Sequence, residues 1–192
     1  MMEAEPSPLR LTRLQREIII GSLLGDGSMR CKRHALFEVN HSIHQRPYVD
    51  WKYDHLSNLV FTAPKVRNGN GSRIAYRFTT RSLECLTPLY ETFYPEGRKR
   101  LCSVELTPLA LAVWFMDDGS RSRASVYFNS QQFDAESQRV LLVALSDQHG
   151  IRASLNRDKS YSRIRIAVES IERLKGIISP HVLPMFAYKL PR

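Results

Sequence analysis

The 192-residue sequence predicts an α+β protein built of two similar halves, each ordered α-β-β-α-β-β-α. Three observations carry that expectation. Two apolar segments end alike, Ile19-Ile20-Gly21-Ser22-Leu23-Leu24-Gly25-Asp26-Gly27 and Leu111-Ala112-Val113-Trp114-Phe115-Met116-Asp117-Asp118-Gly119. Each is followed by stretches in which apolar and polar residues alternate, the mark of a half-buried strand. The succession of helical and alternating stretches then repeats across a boundary near residue 100. The expected organisation is a loose leader over 1–10, containing Pro6 and Pro8, and two half-domains over 11–100 and 101–192.

Each apolar segment is preceded by a helix-start signal. Thr12 can cap the first; Thr107-Pro108 can cap and open the second, because proline fits a first helical turn. After the first helix come Arg30 and Lys32, then Phe37 and Val39 alternating with Glu38 and Asn40. A helix is expected over about 46–59. Lys65-Val66-Arg67 then runs into Asn68-Gly69-Asn70-Gly71, a strong hairpin turn. On the return strand Arg73, Ala75, Arg77 and Thr79 face one way and Ile74, Tyr76 and Phe78 the other. A helix over about 82–93 closes the half.

After the second apolar helix, Arg121, Arg123, Ser125, Tyr127, Asn129 and Gln131 share one parity, and Ala124, Val126 and Phe128 the other. One face is therefore expected to be basic and amide-rich. A helix over about 134–149 should stop at Gly150. The stretch Asn156 to Lys159 turns into a strand with Arg163 and Arg165 opposite Ile164, Ile166 and Val168, and a last helix covers about 171–178.

Composition narrows the function. Lys and Arg number 28 against 19 Asp and Glu, for a net charge of +9, and Arg outnumbers Lys 21 to 7. Arginine suits bidentate contact with phosphate and guanine, so a nucleic-acid partner leads. The apolar runs fall far short of the ~18 residues a membrane span needs. Three widely spaced cysteines, Cys31, Cys85 and Cys102, argue against a disulfide framework or a cysteine zinc site and for a reducing compartment. No signal or transit peptide is legible at the N-terminus. His34, His41, His44 and His55 have no helical ligand spacing, and Gly25-Asp26-Gly27 lacks the Gly-Lys-Ser/Thr of a phosphate-binding loop, so neither zinc nor a nucleotide cofactor is expected. Trp51 and Tyr53 are expected to pack.

A single Asp-Gly at a helix end is an ordinary turn. Here it occurs twice, with Asp26 and Asp118 92 residues apart, and each carboxylate sits at the unfavourable negative end of a helix. Gly21, Ser22 and Gly25 give the first helix a smooth face for close approach to the second. Side by side, the two acids would repel unless a cation lay between them. Mg²⁺, with Mn²⁺ as a substitute, takes oxygen ligands and pairs with phosphates, which points to metal-assisted phosphodiester hydrolysis. Lys99 follows Asp26 by 73 residues and Lys189 follows Asp118 by 71, so each could assist one centre, although Arg98 or Arg100 could replace Lys99. Candidate DNA-contacting residues are Arg30, Lys32, Glu38, Asn40, Arg67, Arg73, Arg77, Arg121, Arg123, Asn129, Gln131, Arg157, Lys159, Arg163 and Arg165.

These features resemble the LAGLIDADG homing endonucleases in their two-motif, single-chain form, intron-encoded enzymes among them. Leu106-Thr107-Pro108-Leu109-Ala110-Leu111-Ala112 running into Trp114-Phe115-Met116-Asp117-Asp118-Gly119, with Phe128-Asn129-Ser130-Gln131, Leu183-Pro184-Met185 and Tyr188-Lys189-Leu190-Pro191, is similar to the branch containing a yeast mitochondrial intron endonuclease. The resemblance implies motif helices at the interface of the half-domains and saddle-shaped antiparallel sheets in the DNA major groove. It also implies metals held by Asp26 and Asp118, with carbonyls of Gly25 and Asp117 nearby. Expected chemistry is cleavage of both strands of a long asymmetric site by a monomer, leaving four-base 3′ overhangs. An intron-RNA maturase and a DNA-binding regulator that does not cut are the rival readings.

Overall fold

The computed structural model describes residues 9–69, 73–122, 125–158 and 160–191, with Asp158 described by its backbone alone. The expected leader up to residue 8, the tip of the first hairpin, and the candidates Arg123 and Lys159 lie outside the described residues.

Helix α1 (Arg13–Leu24) starts where its first donors find partners. Thr12 Oγ1 accepts from Gln15 N at 3.2 Å and Gln15 Oε1 accepts from Thr12 N at 3.1 Å, a reciprocal capping box. Strands β1 (Ser28–Cys31) and β2 (Ala35–Ser42), helix α2 (Arg46–Leu56), strands β3 (Lys65–Asn68) and β4 (Ile74–Thr79) and helix α3 (Thr87–Phe93) complete the first half. The second half repeats the order. Helix α4 (Pro108–Asp118) is capped by Thr107, whose Oγ1 accepts from Ala110 N at 3.2 Å. It is followed by β5 (Gly119–Ser122), β6 (Ser125–Phe128), α5 (Ala135–His149), β7 (Ala153–Asp158), β8 (Tyr161–Ile166) and α6 (Ile171–Ile178). Gly150 ends α5 in the left-handed conformation at φ 61°.

Each half carries a four-stranded antiparallel sheet, in the orders β1-β2-β4-β3 and β5-β6-β8-β7. Met29, Phe37, Val39, Tyr76 and Phe78 line the buried face of one; Val126, Phe128, Ile164 and Ile166 line that of the other. Between them α4 is buried at every position from Leu109 to Asp117, as expected of a helix apolar all round. It packs against α1 at backbone distance: a Cβ on Gly21 would lie 2.4 Å from the Ala110 carbonyl oxygen and 2.6 Å from Val113 Cβ.

Two helices are shorter than the sequence pattern suggests. After Leu56 the chain makes a single 3₁₀ turn over Ser57–Leu59, and α3 begins at Thr87, after a 3₁₀ turn over Glu84–Leu86. Pro88 explains the late start, since it has no N–H to give a preceding turn. Leu83, upstream, is held extended by its N–H to the Ala35 carbonyl at 2.9 Å.

The register corrects one inference drawn from alternation. Alternation alone puts Arg121 on the face of Tyr127, but only two residues separate Ser122 from Ser125, and Ser122 pairs directly with Ser125. Arg121 therefore faces with its partner Val126, on the core side, while Ser120 faces with Tyr127. Arg157 likewise pairs with Ser162, in the row of Leu155 and Ile164, whereas Asn156 pairs with Arg163 on the opposite face. A turn of even length exchanges parity between the strands it joins, and no pattern along one strand reveals it.

Candidate active site at the ends of the paired helices

Helices α1 and α4 deliver their acidic C-terminal residues to one place. Asp26 and Asp118 both line a cleft of about 400 Å³ with Lys99, Asn129, Gln131 and Gln132. Asp26 also borders a second cleft of about 820 Å³, with Asn40, His41, Arg73 and Tyr188. The two helix ends are cross-linked by hydrogen bonds: Asp26 N donates to Asp117 Oδ2 at 3.3 Å, and Gln132 Nε2 donates to Leu24 O at 2.8 Å and Gly25 O at 3.0 Å. Gln132 Nε2 also reaches Asp118 Oδ2 at 3.4 Å.

Both spaced lysines end at the helix termini they were expected to serve. Lys99 Nζ donates to Gly27 O at 3.3 Å and Gln132 Oε1 at 2.7 Å; Lys189 Nζ donates to Met116 O at 2.6 Å and Asp117 O at 3.3 Å. Because a lysine only donates, Lys99 fixes the Gln132 amide with its oxygen toward the ammonium and its nitrogen toward the helix carbonyls. Burial pulls the Lys99 pKa down to about 8 against the pull of Asp118, Asp117 and Asp26. Burial lowers Lys189 as well, against the same three carboxylates.

The two acids are held differently. Burial, then the charges of Asp26 and Asp117, push the Asp118 carboxyl up to about 7, and Lys99 and Lys189 only partly offset them. A divalent cation would relieve that penalty, and half-exposed carboxylate oxygens are the donors Mg²⁺ or Mn²⁺ prefers. For Asp26 burial also acts upward, but the contact with His41, with the charges of Lys52 and Lys189, outweighs it, and its pKa is lowered.

Asp117 is not a third member of the same kind. Its side chain is fully buried and paired with Lys52, itself fully buried, at 3.0 Å. The carboxylate passes over Gly25, where a Cβ would sit 2.4 Å from Asp117 Cβ. That is why glycine precedes the acid in one motif and aspartate in the other. Asp26, His41 and Asp117 bring ligand-type atoms within 4.8 Å of one another. The Lys52 ammonium already fills that place: it bonds both Asp117 oxygens and lies 3.3 Å from His41 Nε2. Of the candidate metal-binding backbone atoms, Gly25 O faces Gln132 and Asp117 O faces Lys189.

The sheets place most of the candidate DNA-contacting residues on open faces. Arg30, Glu38, Asn40, Arg77 and Arg67 share one face of the first sheet, and Lys65, which pairs with Arg77, joins them. Glu38 lies between two arginines, 3.5 Å from Arg30 and 3.7 Å from Arg77. Lys32 follows β1 and Arg73 precedes β4, both exposed. In the second sheet Arg163 and Arg165 share a face with Tyr127 and Asn156; the Arg163 guanidinium lies 4.1 Å from the Tyr127 ring centre and Arg165 donates to Ser125 Oγ at 3.2 Å. Arg121 instead donates to Leu190 O at 3.0 Å.

Sequence reasoning missed Gln132, Lys52 and His41. His41 was set aside with three other histidines for want of ligand spacing, yet its Nδ1 lies 3.4 Å from Asp26 Oδ2. Its place on the buried parity of β2, with Ala35, Phe37 and Val39, was the available signal. Trp51 and Tyr53 pack as expected, against Tyr48 and Phe78.

Comparison with known proteins bears on the family and the fold. The profile of the LAGLIDADG DNA endonuclease family matches residues 16–174. A protein named RecA from Mycolicibacterium chitae is 29% identical over 99% of this chain and 49% of its own length. The cytochrome b mRNA maturase bI2 of Saccharomyces cerevisiae is 26% identical over 95% of this chain and 48% of its own. The chain thus spans about half the length of these curated relatives. Among solved structures, the homing endonuclease I-WcaI bound to its DNA recognition sequence superposes with a TM-score of 0.85 at 22% identity, covering 95% of this chain and 88% of that one.

Proposed function

This chain belongs to the LAGLIDADG DNA endonuclease family, and we propose that it is a monomeric, site-specific homing endonuclease. It makes a divalent-metal-dependent double-strand break in a long asymmetric DNA site and leaves four-base 3′ overhangs. The observation that carries this reading is the convergence of Asp26 and Asp118 on one cleft, with a lysine at the end of each motif helix. Bound Mg²⁺ or Mn²⁺ would supply charge neutralisation at the phosphate and an acidified water. Asp26 and Asp118 would hold it, with the carbonyls of Gly25 and Asp117 beside them. Lys99 and Lys189 place positive charge where the scissile phosphates gain negative charge, in surroundings buried enough to strengthen it. Gln132 ties the two centres together.

Arg30, Lys32, Asn40, Arg67, Arg73 and Arg77 from one half and Asn129, Gln131, Arg163 and Arg165 from the other are the proposed DNA contacts, with Lys65, Tyr127 and Asn156 added by the register. Glu38 orients its two arginines and accepts from a cytosine amino group if they release it. Arg121 and Arg157 are left out on the register. Two unlike faces read two unlike half-sites.

The test is cleavage of a randomised duplex library in Mg²⁺, beside Asp26→Asn and Asp118→Asn. Cuts at one long motif with four-base 3′ overhangs, lost in either variant, are expected. Selective binding with no cutting in Mg²⁺ or Mn²⁺ would replace the enzyme with a regulator. The likeness to a yeast maturase supports a second reading, binding of intron RNA; retention of structured RNA but not duplex DNA would select it.

A further inference from the structure

We infer that His41 is a positioning residue for Asp26, held in its Nδ1–H tautomer by the buried Lys52. The inference rests on the nuclease reading of the site and assigns a role to residues outside it. Lys52 has three protons to donate and no acceptor. Two are directed to Asp117 Oδ1 and Oδ2, at 3.0 and 3.2 Å, and the third meets His41 Nε2 at 3.3 Å. A nitrogen facing an ammonium must offer its lone pair, so the ring proton sits on Nδ1. Nδ1 lies 3.4 Å from Asp26 Oδ2.

The imidazole cannot turn away. Its side chain is 2% exposed, and its ring centre lies 5.2 Å from that of Tyr48, whose ring also lies 4.3 Å from the Lys52 ammonium. At 3.4 Å from Oδ2, Nδ1 engages one Asp26 oxygen and leaves the other for a cation, and an outer donor of this kind orients a ligating carboxylate. Among the described residues nothing equivalent stands behind Asp118, whose carboxylate has its hydrogen bond from the exposed amide of Gln132 at 3.4 Å. The support is built into one centre only.

The test has two arms. The first is long-range ¹H–¹⁵N NMR of metal-free, DNA-free protein at pH 8, with the His41 signals among the six histidines identified by their loss in His41→Leu. The Nδ1–H pattern is expected in the wild type, and a shift of the tautomer balance toward Nε2–H in a Lys52→Met/Asp117→Leu double variant, which removes both buried charges together. An Nε2–H or doubly protonated ring in the wild type, or an unchanged balance in the double variant, overturns the inference. The second arm is cleavage of the selected duplex. Asparagine can keep a donor near the Nδ1 position, so His41→Asn should cut within about threefold of wild type. His41→Leu should cut roughly 10–100-fold more slowly, with DNA affinity in Ca²⁺ unchanged. Equal rates for His41→Leu and wild type, or equal losses in both variants, count against the role. A wild type that does not cut refutes the nuclease reading instead, and the NMR arm then decides the tautomer by itself.

Discussion

Lys52 and Asp117 form an ion pair in which neither side chain is exposed at all, with Nζ 3.0 Å from Oδ1 and 3.2 Å from Oδ2. It joins α2 of one half to α4 of the other, 65 residues apart in sequence. Burial lowers the Lys52 pKa and the Asp117 charge opposes that shift. Removing one partner leaves an uncompensated buried charge, which typically costs about 3–5 kcal/mol. Lys52→Met alone should therefore lower the melting temperature by roughly 10 °C, at about 2–4 °C per kcal/mol for a chain this size. The Lys52→Met/Asp117→Leu double variant should recover most of that loss. Calorimetry of both checks it; equal destabilisation by single and double variants would mean that packing, not charge, dominates.

The α1–α4 contact makes a second prediction in which two effects compete. Alanine is favoured over glycine inside a helix by about 1 kcal/mol. At Gly21, however, the new Cβ would lie 2.4 Å from a backbone oxygen of Ala110, and backbone cannot move aside as a side-chain tip can. Overpacking of this kind costs roughly 1–3 kcal/mol, so Gly21→Ala should destabilise on balance in urea unfolding. A stabilised variant would show that the helices can separate without loss.

Asp118 carries a charge that costs stability. Its carboxyl is raised to about 7, above the ~3.9 of an unfolded aspartate. The folded state therefore binds the extra proton between those values. Stability falls as pH rises from ~4 through 7, and the whole penalty is present above pH 7. Asp118→Asn removes the charge and should stabilise the metal-free protein on the order of 2 kcal/mol at pH 8, discounting the full shift for the group's contact with water, and hardly at all at pH 4.5. Thermal melts at the two pH values give the comparison, and a gain independent of pH would exclude the charge as its source. Asp134 has the opposite sign. Hydrogen bonds from Ser137, its backbone N–H first, lower its pKa, with Arg100 adding to the effect. Its contribution as the α5 cap is therefore present above pH ~4 and lost below it.

What the sequence shows about this molecule follows the range of each force. Caps at Thr12 and Thr107 are local hydrogen bonds and were legible as local patterns. The repeat in order was legible because both halves solve the same packing problem with the same periods. Spacing alone brought Lys99 and Lys189 to the helix ends. The face of Arg121 was not legible, since it depends on a turn length and not on the strand. Nor was Lys52: a lysine on a helix is normally solvated, and it is the glycine at position 25, just past the end of α1, that leaves room for the aspartate paired with it.

Arg121 and Arg165 test the register directly. Arg165 pairs with Tyr127 on the open face of the second sheet and donates to Ser125 Oγ at 3.2 Å. Arg121 faces with Val126 and holds Leu190 O at 3.0 Å, one residue beyond Lys189. Arg165→Ala should weaken binding of the selected duplex by about 1–3 kcal/mol and relax the base preference at one position, if the guanidinium reads a guanine. Arg121→Ala should leave affinity in Ca²⁺ nearly intact and slow cleavage, because the segment that delivers Lys189 to Met116 O loses its tether. Binding titrations and single-turnover cleavage on the same duplex separate the two. Loss of affinity in Arg121→Ala, with Arg165→Ala unaffected, would mean that the second sheet meets DNA on the other face.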